Sequence, residues 1–409
     1  MSLSGSRETA QLLRELKAFD EFEAASAVEN IRYGDTEATV ITNEFWTSKQ
    51  RAASPIHEIS YLACFKPQLA RFFIERLSVE GDVVFDPFMG RGTTLVEAAL
   101  LKRVPFGCDV NPLSKILIQP RFRCPSLDEV SEYLENLELN YEGEIKEDLL
   151  VFYHEQTLRE LMALRQIFQS SDDDPIVEWV QMVATSRLTG HSAGFFSVFS
   201  MPPNQAVSVK SQRRINEQRK QVPPMREVKK ILLKKSKALL GKLSETELKN
   251  LNRSGKEARF FTGSADDLTE IGPETVQLVV TSPPFLDVID YQTHNWLRCW
   301  FNGIDSKEVS IWQFRQIEDW QKAMAQVFLE LMRVLKSGGY VAFEVGEIRK
   351  GKIKMEELVI PVAQAAGFEL VCVMVNAQEF TKTAKCWGVD NQKKGTNTNR
   401  IVILHKPKS

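Results

Sequence analysis

The chain is poor in the residues that hold small or metal-built proteins together. Its six cysteines (64, 108, 124, 299, 372 and 386) are scattered over 409 residues without a C-x-x-C pair, and its five histidines (57, 154, 191, 294 and 405) do not cluster with them. Neither a disulfide framework nor a zinc site is indicated. No apolar run approaches the roughly 18 residues of a membrane span, and no signal-peptide pattern opens the chain. The expectation is a cytoplasmic protein with no membrane partner. Overall charge is also lacking, at −2. What charge there is lies locally: Lys210–Lys242 holds twelve Lys/Arg against two Glu, a surplus of ten positive charges that leaves twelve negative ones for the rest. A solvated helical face would look the same, but a basic island in an acidic chain also suits a nucleic-acid contact.

With 43% hydrophobic content the chain can bury one large core or two modest ones. Residues 1–55 are polar and weakly periodic, with a short helix expected around 8–25. Then 57–78 spaces apolar residues at helical intervals, 83-VVFDPF-88 reads as a buried strand, 89-MGRGTT-94 as a glycine-rich corner, 95–102 as a helix and 105–110 as a strand. That succession opens a right-handed βαβ unit of a doubly wound sheet. The middle differs: helical patterns at 147–168 and 226–243 flank an irregular stretch, 186–208. Strands resume at 259–264, 275–285, 340–345, 368–375 and 400–405, with helices at 316–336 and 355–366 and a turn at 336-KSGG-339. The expected class is α/β, with an N-terminal extension (1–56), a sheet interrupted once (57–124 and 257–409) and a largely helical, basic insertion (125–256).

Two corners carry the chemistry. The first runs from Asp86 through Gly90 and Gly92 into a helix beginning near Thr93 and Thr94. Glycine permits close backbone approach or positive φ, and the free N–H groups of a helix start suit a negative group. A tight turn that binds nothing would use the same glycines. No Lys-Ser/Thr pair follows for a P-loop, and no third glycine stands at the dinucleotide spacing. The next strand ends in Asp109, where an acidic side chain would meet ribose hydroxyls or simply lie at the surface. The second corner is 281-TSPPF-285, which follows the apolar run 276-VQLVV-280. Its prolines forbid both helix and a continuing ladder, so the chain leaves the strand abruptly.

Taken together, 86-DPFMGRGTT-94 and 281-TSPPF-285 resemble the two motifs of the S-adenosylmethionine-dependent amino-methyltransferases of DNA. The resemblance covers about 57–115 and 259–405. It implies a Rossmann-like, mostly parallel seven-stranded class I methyltransferase sheet and S-adenosyl-L-methionine as cofactor. Phe88, Gly90 and Gly92 would line the methionine end, with Asp86, Thr93, Thr94 and Asn111 around it, and Asp109 would hold the ribose. The turn 261-FTGSADDL-268 matches the adenine-contacting segment, through Ser264 or Asp266, with Ala265 between them also at the cofactor.

The resemblance also gives the second corner a task. An exocyclic base amine is a poor nucleophile because its lone pair is delocalised into the ring. Acceptors at Ser282 and the Pro283 carbonyl, stiffened by Pro284 and flanked by Thr281, would draw it toward tetrahedral geometry, while Phe285 stacks on a flipped base. Serine before Pro-Pro resembles enzymes acting on cytosine N4. The order of motifs, glycine first with about 190 residues between, resembles a group acting on adenine N6. The implied partners are double-stranded DNA and a cognate restriction endonuclease. In the insertion, Lys210, Arg213, Arg214, Arg219 and Lys220 are candidates for phosphates, and Arg187, His191 and Asn204 for base edges, with Arg187 directed at guanine. Trp387, in the polar stretch 380–400, is a candidate for the cleft wall. An RNA amino-methyltransferase and a catalytically silent nucleic-acid-binding protein of the same fold are the competing readings.

Overall fold

Val84 and Phe85 point to opposite faces of a strand, as successive residues must, and both are fully buried. Leu278, Val279 and Val280 repeat the pattern next door. Strands apolar on both faces belong in the middle of a sheet covered on both sides. In the computed structural model, which describes residues 3–22, 24–46, 54–61, 64–170, 173–202, 204–284, 291–348, 353–377 and 398–408, that sheet is the centre of the fold. The strands are β1 (Ala27–Tyr33), β2 (Thr36–Asn43), β3 (Val83–Asp86), β4 (Val104–Asp109), β5 (Arg259–Thr262), β6 (Val276–Thr281), β7 (Leu335–Val345), β8 (Glu347–Ile348), β9 (Ile353–Lys354), β10 (Glu369–Ala377) and β11 (Thr398–His405). Nine of them form one sheet in the order β1-β2-β10-β11-β7-β6-β3-β4-β5, and β8 and β9 make a separate hairpin. The run from β5 to β7 is parallel, and β11 is antiparallel to both of its neighbours.

The expected Rossmann-like arrangement is present, with a sheet of nine strands rather than seven. The two extra strands come from the N-terminal extension: β1 and β2 form a hairpin, and β2 adds in parallel to β10 with Val40 beside Val373. The expected 8–25 helix is displaced to Leu3–Lys17. The hairpin escaped notice because most of β1 is exposed and shows no alternation. The 57–78 helix is also shorter than expected. Pro67 starts it, Lys66 before it is extended, and the helix covers only Pro67–Leu77, as a proline at the first turn dictates. The 336-KSGG-339 turn falls inside β7, where Gly338 takes a φ of +82°.

Helices close both faces. Helix Ile317–Val334 buries Trp320, Val327 and Phe328 against the face that carries Phe85, Val279 and Phe343. Helix Pro67–Leu77 buries Leu69, Phe72 and Phe73 against Val84, Leu278 and Val280. Between β4 and β5 the chain inserts helices that include Glu155–Ser170, Pro175–Thr185, Val209–Arg219 and Val228–Leu240. Their apolar residues, such as Leu158, Trp179 and Leu232, share one core with Leu95 and Val96 of helix Thr93–Leu100. The insertion is therefore continuous with the layer beneath the glycine corner.

Asn376 anchors the N-terminal extension. Fully buried at the end of β10, it accepts from the backbone N–H groups of Phe45 (2.7 Å) and Trp46 (3.2 Å) and donates to the Trp46 carbonyl (3.2 Å). Asn376→Ala strands these groups away from water and is expected to cost about 1–3 kcal/mol, read as a lower denaturation midpoint at unchanged slope. An unchanged midpoint would show that the extension is anchored elsewhere.

Candidate active site

β3, β4, β5 and β6 all end on the same side of the sheet, and the strand order reverses between β3 and β6. Ligands of open α/β sheets bind in the crevice at such a point. There the two corners meet. The Thr281 hydroxyl donates to Asp86 Oδ1 at 2.6 Å, and the Thr94 hydroxyl donates to the Val280 carbonyl at 3.0 Å. Asp86 is 1% exposed and also accepts from the Phe88 N–H at 3.1 Å. Burial pushes its carboxyl up to about 7, against the pull of those donors. Asp86 thus ties the corners together with an oxygen that faces Thr281.

The glycines have separate reasons. Gly90 takes a φ of +48°, and its N–H donates to Asp109 Oδ2 at 2.9 Å. The other Asp109 oxygen accepts from the Asn111 N–H at 2.9 Å, and burial raises this carboxyl from its usual range. Gly92 caps helix Thr93–Leu100 at a φ of +77°. A β-carbon built on it would sit 2.6 Å from Ile118 Cγ1, so this glycine serves packing. Behind it the buried Arg121 guanidinium donates to the carbonyls of Leu117 and Arg91, and burial lowers it to about 9.

Around these corners lies a cleft of about 860 Å³, its open mouth included. Asp86, Phe88, Gly90 and Thr93 line it from the first corner, and Asp109 and Asn111 from the end of β4. Ser264 and Ala265 line it beyond β5, and Ser282 and Pro284 beyond β6. Of the two candidates in the turn after β5, Ser264 faces the cleft and Asp266 is exposed. Gly92, Thr94, Thr281 and Pro283 support the cleft without lining it. Phe285 and Trp387 lie outside the described residues.

Several cleft residues escaped the sequence reading. Tyr61 and Phe65 line it from the segment expected to be helical, because Pro67 opens the helix and holds Lys66 before it extended. Trp312 lines it from an irregular stretch and meets the Phe88 ring edge-on at 6.0 Å. Trp320 donates its indole N–H to the Pro284 carbonyl at 3.0 Å, fixing the peptide after the two prolines. No local pattern marks either tryptophan.

The insertion divides its candidates. Lys210, Arg213, Arg214, Arg219 and Lys220 are exposed along helix Val209–Arg219 and its cap. Arg187 instead stacks on Phe195, 4.2 Å from the ring centre, with its Nε donating to the Ser186 carbonyl, and burial lowers it to about 10. Asn204 accepts from the Ser60 hydroxyl at 2.8 Å, and its carbonyl accepts from Arg298 at 3.1 Å. His191 is exposed nearby, 6.2 Å from the Phe195 ring.

The family profile described as DNA methylase matches residues 14–118, which hold the first corner, Asp109 and Asn111. Over that stretch the chain is similar to DNA methylases. Among individual relatives of these methyltransferases, Type II methyltransferase M.BsoBI of Geobacillus stearothermophilus is 23% identical over 72% of this chain and 63% of its own. Type II methyltransferase M.MvaI of Kocuria varians is 33% identical over 23% of this chain and 20% of its own. The chain therefore spans less than two thirds of the length of either relative. A solved structure of TrmN from Thermus thermophilus covers 86% of this chain, with 52% of its own, at a TM-score of 0.34 and 13% identity.

The raised Asp86 carboxyl carries a sign. An aspartate that keeps its proton to about pH 7 in the fold, but only to about 3.8 when unfolded, favours folding at low pH and loses that advantage as pH rises through 7. Asp86→Asn keeps an acceptor for Thr281 and removes the titration. Its stability relative to the parent is expected to increase between about pH 4 and pH 7 in denaturant titrations. A difference independent of pH would mean that Asp86 is ionised throughout.

Proposed function

We propose that this protein methylates the exocyclic amine of a base flipped from double-stranded DNA, with cytosine N4 as the target and S-adenosylmethionine as the methyl donor. The observation that carries the proposal is the bonding of Asp86 to Thr281, which sets Ser282 and Pro284 into the same cleft as Phe88 and Gly90. The cleft's residues fit the cofactor. Gly90 offers close backbone approach, Asp109 and Asn111 line the cleft at the end of β4 and would take the ribose hydroxyls, and Phe88 and Trp312 form an apolar wall. When bound, the cofactor supplies a methyl group on a positively charged sulfur.

The chain's own residues supply position. Ser282 offers a hydroxyl oxygen toward the amine, and the Pro-Pro peptide, held at its end by Trp320, keeps its carbonyls aimed. Holding the amine against the methyl group is where most of the rate would come from. Serine before Pro-Pro favours cytosine N4, while the glycine-first order keeps adenine N6 as the second reading. The exposed cations of helix Val209–Arg219 suit the DNA backbone. A cognate restriction endonuclease is the proposed cellular partner, by analogy with the type II relatives.

Calorimetry is expected to show binding of S-adenosylmethionine and of S-adenosylhomocysteine by the parent protein. Gly90→Val, which forces a β-branched residue to a φ of +48° at the cleft wall, should abolish both. Parental binding by a folded Gly90→Val protein would remove the cofactor from this corner.

Neutralising Arg213, Arg214, Arg219 and Lys220 together is expected to weaken all DNA sequences alike. Each lost phosphate contact should flatten the salt dependence by about one unit. Parental affinity and salt slope would show that DNA lies elsewhere.

A further inference from the structure

Glu344 is a buried carboxylate with no part in the chemistry so far. It sits near the end of β7, 6% exposed, and the parallel pairing of Thr281 with Phe343 places it directly beside Ser282. The Ser282 hydroxyl, one residue beyond the end of β6, hydrogen-bonds to it. From the other side, β11 brings Asn399, whose amide donates to Glu344 Oε1 at 2.8 Å. The ends of β6 and β7 and the start of β11 thus meet in a chain of polar side chains, Asn399 to Glu344 to Ser282, and Ser282 opens into the cleft.

The direction of the hydrogen bonds decides what Ser282 can do. The Asn399 amide group can only donate, so Oε1 of Glu344 is held as an acceptor. A carboxylate that also takes the single hydroxyl proton of Ser282 leaves that oxygen with only lone pairs facing the cleft. Such an oxygen accepts from an amine N–H, which is what drawing the amine out of conjugation requires. With a neutral partner in place of Glu344, the hydroxyl could turn its proton toward the amine and oppose the attack.

We propose that Glu344 is a positioning residue and proton acceptor of the methyl-transfer site, acting through Ser282 on the substrate amine; this rests on the function proposed above. As the amine nitrogen bonds to the methyl carbon, the methyl–sulfur bond breaks and its electron pair returns to sulfur. The nitrogen then carries one proton too many. That proton passes to the Ser282 oxygen while the Ser282 proton passes to Glu344, and the resulting carboxylic acid returns its proton to solvent before the next turnover. Burial raises the Glu344 carboxyl from its usual range, and the hydrogen bonds from Ser282 and Asn399 oppose that rise. Such a shift brings a carboxylate closer to the basicity that proton acceptance needs. The groups facing it are Ser282 after β6 and Asn399 from β11, and the neighbouring Arg400 pairs with Glu356 at 2.6 Å.

The test measures methyl transfer to unmethylated genomic DNA as a function of pH for the parent, Glu344→Gln, Glu344→Asp, Ser282→Ala and the Glu344→Gln/Ser282→Ala double variant, with S-adenosylhomocysteine binding as the measure of an intact cleft. Parental activity is expected to rise with pH through the Glu344 titration. Glu344→Gln should lose that limb and about 100-fold in rate while binding S-adenosylhomocysteine normally. Glu344→Asp should keep the limb at a lower rate. The double variant should be no slower than the slower single one, because the two side chains act as a unit. A Glu344→Gln protein with parental rate and pH profile, beside a slowed Ser282→Ala, overturns the role of Glu344 and leaves the clamp standing. If Glu344→Gln fails to bind S-adenosylhomocysteine, Glu344→Asp decides, and loss of its pH limb overturns the proposal. A parent that binds S-adenosylhomocysteine but methylates no DNA overturns the proposed function and this inference with it.

Discussion

The hydrogen bond from Thr281 to Asp86 is the constraint on which the rest of the site depends. It joins the ends of two adjacent parallel strands that are far apart in sequence, and it lies in a dry environment where an unpaired carboxyl would be costly. Because Asp86 also receives the Phe88 N–H, one side chain fixes both the exit of the chain from β3 and its exit from β6. The Thr94 hydroxyl on the Val280 carbonyl adds a second tie beside the first. Two corners that diverge immediately afterward are thereby held a fixed distance apart, and the cleft is the gap between them.

The insertion is coupled to that cleft through packing. Arg298, buried, donates to the Asn204 carbonyl in the irregular stretch of the insertion and to Asn295 Oδ1. Its guanidinium lies 6.0 Å from the ring centre of Tyr61, which lines the cleft. Helix Val209–Arg219, which carries the residues proposed to meet DNA, packs Val209 against the core that also holds Leu95 and Val96 of the glycine-corner helix. This arrangement gives contiguous contact between the two regions.

Most of the central sheet was legible in the sequence because its strands are short apolar runs ended by strong breakers. Gly90, Gly92, Pro283 and Pro284 are such breakers, and the structure puts each at a strand exit or a helix start. What was illegible depended on tertiary contact. β1 is an exposed edge strand with no alternation to read, and β2 is recognisable only through its pairing with β10. Tyr61 and Phe65 were assigned to a helix because their spacing suited one, although Pro67 restricts the residue before it to extended geometry. Glu344 reads locally as one polar residue in an apolar strand, and its meaning appears only when β6 and β11 lie on either side of it. Within the candidate site, residue types at the corners were readable, whereas which side chain faces the cleft was set by partners far away in the chain. Ser264 facing it while Asp266 faces solvent is the clearest instance.

The central claim is that the cleft between the two corners brings a methyl donor against the exocyclic amine of a DNA base. The most direct measurement is mass spectrometry of nucleosides released from unmethylated DNA after incubation with the protein and methyl-deuterated S-adenosylmethionine. The account predicts deuterated N4-methylcytosine. Deuterated N6-methyladenine would keep the cleft chemistry and correct the base. Label in C5-methylcytosine alone, or in no DNA nucleoside while RNA in the same mixture is labelled, would contradict the account.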